Sequence, residues 1–290
     1  MKLAIASGKG GAGKTMVATN LAWTAAQQGV KTAFLDCDVE EPNAALFLKP
    51  DIENVIPVHV PKPVINQDVC THCGLCSDIC RYNALAVLSD KVLLFNELCH
   101  SCGGCVHVCP EHAIHEEPRL VGHIDAGHAG ALKVCTGVLK VGEAIAPPVV
   151  KAVKQQAGDE TLTILDSPPG TACPAVETVR DADFVLFVAE ATPFGRHDLA
   201  LAIDLAQALK RPFAVMLNRA DLDHGETRRW CEENGFRVLA EIDEDRRIAE
   251  KCSSGELVVD ALPDYREVFT KLLEDVVAAA EITTNERVQG

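Results

Sequence analysis

Basic side chains are scarce in this sequence: 27 lysines and arginines stand against 42 aspartates and glutamates, leaving a formal charge of −15. A chain so balanced does not coat a polyanion, which argues against binding to nucleic acid or an anionic membrane and points to partners with basic patches. Long apolar runs are missing too. No stretch reaches the length that spans a bilayer, and the opening MKLAIASGKG passes into a glycine-rich turn before a leader's apolar segment forms. A cytoplasmic protein is expected. Cysteines, thirteen in 290 residues, are too few for a disulfide scaffold. Eight of them nevertheless fall between positions 70 and 109, a clustering that suggests metal ligation.

The length leaves room for one large domain and a small one. Short apolar segments predict strands at KLAIAS (2–7), KTAFLDCD, TLTILDSPPG, ADFVLFVAEATP, PFAVMLNRAD and FRVLAEID. KTMVATNLAWTAAQQG reads as a helix closing at Gly29, with further helices over 196–210 and 225–234. Strands alternating with helices predict an α/β fold, a mostly parallel sheet covered by helices on both faces. The alternation breaks after the second strand. Pro57, Pro61 and Pro63 bound the break on one side, and Pro118, Gly122, Gly127 and Gly130 on the other. Residues 64–118 are therefore expected to be an insertion, with 1–63 and 119–290 forming the main domain. DYREVFTKLLEDVVAAAE is amphipathic but acidic and is expected to pack against the protein, and ITTNERVQG to trail off as a tail.

Gly8, Lys9, Gly10, Gly11, Ala12, Gly13, Lys14 and Thr15 satisfy G-x-x-x-x-G-K-[ST] between a predicted strand and a predicted helix. Such a loop turns backbone N–H groups toward phosphates, and the helix N-terminus adds its positive end. Lys14 is expected to reach the β- and γ-phosphates and Thr15 to ligate Mg²⁺.

With its second lysine, KGGAGKT resembles the deviant Walker-A ATPases of the ParA/MinD type, which include the nitrogenase iron protein and the Mrp-type iron-sulfur carriers. The resemblance covers nearly all of the chain outside the insertion. It implies that Lys9 reaches the ATP bound by a second copy, hence a homodimer with nucleotide at the interface. FLDCDVEEPN resembles the family's first switch, which gives Asp38 the attacking water and Asp36 the Mg²⁺ shell. ILDSPPG resembles the second switch, with Asp166 near the metal and the Gly170 N–H at the γ-phosphate. MLNRAD resembles the base-reading segment, placing Asn218 and Arg219 at adenine. Asp243 stands where relatives often have proline, so the loop around Asp245 reads equally as an acidic surface loop.

Cys70, Cys73, Cys76 and Cys80 form C-x2-C-x2-C-x3-C, and Cys99, Cys102, Cys105 and Cys109 repeat it 29 residues later. This is the two-cluster bacterial ferredoxin pattern, in which the fourth cysteine of each run ligates the other cluster. Two [4Fe-4S] clusters are expected, one on Cys70, Cys73, Cys76 and Cys109 and the other on Cys99, Cys102, Cys105 and Cys80, in an α+β ferredoxin-like insertion. Two zinc sites are the alternative, though zinc motifs usually present separated pairs. Arg81 replaces the proline usual after the first run and bears on the potential of the cluster held by Cys80. The clusters carry electrons or staple a small domain. Cys37, Cys135, Cys231 and Cys252 read as packing residues, and Cys173 as either a tolerated thiol or a ligand shared between subunits.

The combination resembles the MinD-superfamily ATPases with an inserted ferredoxin domain. It implies an ATPase that converts ATP to ADP and phosphate and couples this to electron transfer or metallocluster assembly on a redox or cofactor-assembly partner protein. An iron-sulfur carrier and a positioning ATPase are the alternatives.

Overall fold

The structure, a computed structural model, describes residues 1–289, with side chains described for residues 1–282. In chain order its strands are β1 (Lys2–Ala6), β2 (Thr32–Asp36), β3 (Asp51–Ile65), β4 (Leu85–Val87), β5 (Val92–Leu94), β6 (Ile114–Ala129), β7 (Leu132–Leu139), β8 (Leu162–Asp166), β9 (Phe184–Glu190), β10 (Phe213–Asn218) and β11 (Val238–Ile242). The strands β4 and β5 pair with each other; the other nine form one sheet in the order β11-β10-β9-β1-β8-β2-β7-β6-β3. Pairing from β11 through β7 is parallel, and β6 and β3 close the edge antiparallel.

Successive residues of the central strands bury on opposite faces, because side chains alternate along a strand. Leu3 and Ile5 enter one core with Phe34 and Ile164, beneath α1 (Lys14–Gln27) and the chain's last helix. Ala4 and Ala6 enter the other with Leu35, Leu165 and Val185. A short helix, α2 (Ala45–Leu48), follows β2, and two more, α3 (Leu75–Asp78) and α4 (Gly104–Val108), lie in the cysteine-rich segment. Helices α5 (Pro147–Lys154), α6 (Cys173–Val179), α7 (Pro193–Ala208) and α8 (Glu226–Glu233) supply the second face. The first is completed by α9 (Arg246–Ser253), α10 (Val258–Ala261) and α11 (Asp264–Gln289), the last burying Phe269, Leu272 and Val276. That helix runs through most of the segment expected as a tail, whose final residue lies outside the described residues. No helix of the described residues is long and apolar enough to cross a membrane.

The prolines read from the sequence as punctuation lie inside strands. Pro57, Pro61 and Pro63 sit on β3 opposite His123, Pro118 and Glu116 of β6. Proline lacks an N–H, and an edge strand such as β3 has one side on which no N–H is needed. Gly127 lies in β6 near a register shift, and a Cβ there would stand 1.9 Å from the Asp51 carbonyl oxygen. The two long strands thus form a ribbon that leaves the main sheet and carries residues 66–113 at its far end. This far unit has its own small core of Cys76, Leu85, Val92 and Ile114. Its halves repeat in backbone geometry at the 29-residue interval. His72 and Ser101 both have φ 55°, Asn83 and His112 have φ 52° and 49°, and Gly74 and Gly103 cap α3 and α4.

Candidate nucleotide site and cysteine cavities

The loop between β1 and α1 lines a cleft at the end of the parallel strands, where ligands of open α/β sheets bind. Gly13 holds φ 95°, and a Cβ there would stand 2.4 Å from the Asn218 amide nitrogen, so no other residue fits without a shift. Gly8 is pressed against the Asp198 backbone of α7. Gly10 and Gly11 lie exposed on the cleft wall, and buried Ala12 gives its carbonyl to the Asn218 amide at 2.9 Å. No acidic side chain occupies the first turn of α1, leaving its positive end free for an anion.

Lys14 is buried behind this loop. Its Nζ lies 2.6 Å from Asp166 Oδ1 and 3.9 Å from Asp38 Oδ2, with the Thr15 hydroxyl at 3.3 Å. Burial works to lower the pKa of the Lys14 ammonium, but Asp166, Asp38 and Asp36 outweigh it and the net shift is upward. Asp36 accepts the N–H groups of Asp38 and Ala44. Its burial and the nearby Asp166 carboxylate push its carboxyl well above the ordinary range. Burial also pushes Asp38 up, to about 6, against the pull of Lys14. One ammonium therefore faces three carboxylates, and Asp166 Oδ2 is buried without a hydrogen-bond partner. Excess buried negative charge and an orphaned carboxylate oxygen fit a hard divalent cation such as Mg²⁺. Among the described residues no group of three or more His, Cys, Asp or Glu side chains is arranged to hold a metal ion. Mg²⁺ commonly takes its other ligands from phosphates and water.

Lys9 and Arg219 meet on a residue the sequence reading passed over. Glu190, at the end of β9, accepts Lys9 Nζ at 2.5 Å and Arg219 at 2.7 Å. The Lys9 hydrogen bond, with that of Arg219 and against partial burial, holds the Glu190 carboxyl below its ordinary value. Its signal was an acid closing the otherwise apolar strand FVLFVAE. Asn218 and Arg219 line the cleft together with Asp243, Asp245 and an apolar wall that includes Phe47 and Ile248. Asp245 caps α9 through the Arg247 N–H and accepts the Tyr265 hydroxyl, so its carboxylate is engaged within the protein. The Gly170 N–H donates to the Ser7 carbonyl at 2.9 Å, which keeps the segment after β8 against the loop.

The cysteines of the far unit line two cavities of similar size. Cys70, Cys73, Cys76 and Cys109 surround one of about 20 Å³, and Cys80, Cys99, Cys102 and Cys105 surround one of about 30 Å³. Each quartet joins three cysteines of one run to the fourth of the other. Burial pushes the Cys76 thiol up and the Cys105 thiol to about 11, and these are the third cysteines of their runs. Cys37, Cys135 and Cys231 are buried in the main domain, Cys252 is half-buried, and Cys173 is exposed at the start of α6.

Residues 3–258 match the CobQ/CobB/MinD/ParA nucleotide binding domain. An uncharacterized protein of Methanocaldococcus jannaschii is 33% identical over 226 residues, covering 77% of this chain and 80% of its own length. An iron-sulfur cluster carrier protein of Pyrococcus horikoshii is 46% identical over 54 residues, 19% of this chain and 18% of its own. Among solved structures, the septum site-determining protein MinD of Pyrococcus horikoshii, complexed with Mg-ADP, superposes with a TM-score of 0.57 at 20% identity, covering 95% of both chains. That likeness is one of fold.

Proposed function

The chain belongs to the CobQ/CobB/MinD/ParA nucleotide-binding family, and we propose that it is an ATP-hydrolysing iron-sulfur protein whose nucleotide cycle drives electron transfer or metallocluster assembly on a partner. The observation that carries this reading is the placing of two cysteine quartets on a ribbon continuous with the nucleotide-binding sheet.

At the nucleotide site, Lys14 exchanges Asp166 for the β- and γ-phosphates, and the turned N–H groups of the loop hold the same oxygens. Thr15 and Asp166, with Asp36 behind them, would hold Mg²⁺, which would supply charge neutralisation at the phosphates. Asp38 orients the attacking water and takes its proton, yielding ADP and phosphate. Lys9 leaves Glu190 when a second copy closes over the cleft and places its ammonium on that copy's nucleotide, which makes the homodimer part of the switch.

In the far unit, Cys70, Cys73, Cys76 and Cys109 hold one [4Fe-4S] cluster and Cys80, Cys99, Cys102 and Cys105 the other, making residues 64–118 a ferredoxin-like insertion. The donor set supports this. Thiolates of a four-iron cluster wrap a cavity rather than converge on one ion, and a unit whose core is four buried side chains needs an internal staple. When bound, the clusters supply one-electron storage.

Val39 connects the two parts. It follows Asp38 directly, and its carbonyl accepts the Leu139 N–H at the end of β7, while the next N–H, of Lys140, donates to Val121 of the ribbon. A movement of Asp38 on nucleotide binding is thereby passed to β6. Partial identity to an iron-sulfur cluster carrier favours a second reading in which a cluster is cargo and exposed Cys173 holds it between subunits.

The test is paired. Lys14→Ala is expected to abolish phosphate release from ATP while the purified protein keeps about eight irons per chain. Unchanged hydrolysis, or iron far below eight in the native protein, contradicts the proposal, and iron above eight that passes to an apo-acceptor favours the carrier.

A further inference from the structure

The internal repeat makes the two cavities comparable residue by residue. Cys80 Sγ accepts the Ala84 amide at 3.3 Å, and 29 residues on, Cys109 Sγ accepts the Ala113 amide at 3.2 Å. The paired turns share their left-handed geometry. These hydrogen bonds to sulfur, a common source of different potentials, are therefore matched on the two sides.

Lys62 breaks the match. It lies on β3, is 4% exposed, and its Nζ donates to the carbonyl oxygens of Cys99 at 2.5 Å and Asn96 at 3.2 Å. Its neighbour Pro63 lines the cavity of Cys80, Cys99, Cys102 and Cys105. The residue at the equivalent place in the repeat, Lys91, is exposed. Among the described residues no carboxylate lies within ion-pair distance of Lys62, and its cross-strand neighbour Glu117 is engaged by His115 at 3.1 Å. An ammonium buried against carbonyls alone is costly unless an anionic group stands near it. A four-iron cluster with four thiolates is such a group.

Resting on the cluster reading above, we infer that Lys62 raises the reduction potential of the cluster held by Cys80, Cys99, Cys102 and Cys105 above that of its neighbour. Reduction adds a negative charge, and a buried cation beside a ligand's carbonyl stabilises the more negative state. Four other charges are close in sequence or space: Arg81 follows Cys80, Asp78 and Glu97 lie two residues before Cys80 and Cys99, and Glu116 reaches the Gly103 turn. All four are exposed, so water screens them and they change the balance less. The direction follows from the ribbon. Pro63 pairs with Glu116, while the other cavity abuts Ile114, which pairs with Ile65 at the ribbon's far end. An electron given to the pair by a low-potential one-electron donor thus settles on the cluster nearer the nucleotide-binding sheet. In that step the far cluster is oxidised by one electron and the near one reduced by one.

The experiment is an anaerobic redox titration followed by EPR on the iron-loaded chain, comparing native protein, Lys62→Met and Lys62→Arg, with dithionite as reductant. Cys102→Ser, which alters one cluster's signal, assigns the spectra. Lys62→Met is expected to shift the reduction equilibrium of the near cluster at least tenfold toward the oxidised form, 59 mV for one electron. The far cluster stays where it was, and Lys62→Arg restores most of the shift. Should Lys62→Met lose iron, Lys62→Gln keeps a donor to the carbonyls without the charge and carries the same comparison. Eight irons with both potentials unmoved, or moved together, overturns the inference. Native protein with far fewer irons overturns the cluster reading instead.

Discussion

Asp38 lies where two demands meet: partial burial raises its pKa to about 6, and in the proposed mechanism its carboxylate takes a proton from water. Below that value the carboxyl is protonated and cannot serve as a base, so kcat/KM for ATP should rise with pH through about 6 and level off above. A pH profile of phosphate release at limiting ATP checks this, since kcat/KM reports the free enzyme. Asp38→Asn should lower the rate by about 10²-fold or more; a flat profile down to pH 5 removes Asp38 from the role. The loop residues and the cysteine spacing stand out in the sequence because each follows a recurrent local motif. Glu190 does not. Its value lies in meeting Lys9 and Arg219, residues 181 and 29 positions away along the chain, and no local pattern reports such a contact.

The ribbon of β3 and β6 is the element that decides how the parts are joined. Six strands of the main sheet announce themselves as buried apolar runs, whereas much of β3 is exposed and carries three prolines, so it reads as linker. Its strand character comes from pairing with β6 across 14 register positions, a tertiary effect that overrides local propensity. Glycine marks the same dependence. Gly127→Val would force a side chain into the Asp51 carbonyl. It should cost about 1–3 kcal/mol, as overpacking does, measurable as a lowered denaturation midpoint with no change in iron content. An unchanged midpoint would mean that the ribbon's pairing near Asp51 contributes little.

At the scale of the whole molecule, the nucleotide cleft lies at the end of the parallel strands and the cysteine cavities at the far end of the ribbon of the same sheet, linked from Asp38 through Val39 and Leu139 to the ribbon. Packed elements of this kind shift between discrete arrangements rather than bend continuously, so the proposed function requires that a ligand favouring one arrangement at the cleft be felt at the ribbon's end. Motif spacing alone suggests a nucleotide-binding body and a cysteine-rich insertion, but the strands β3 and β6 that bound it run beyond the expected limits of 64–118. The hydrogen-bonded path between them could not be read from spacing, because it depends on which strands become neighbours. The most direct test is an anaerobic EPR redox titration of the iron-loaded chain with no nucleotide, with MgADP and with a non-hydrolysable MgATP analogue. Coupling predicts that the analogue shifts a cluster potential or the spin interaction between clusters relative to MgADP. Three superimposable titrations would contradict it and leave the cysteine unit a passenger on the nucleotide cycle.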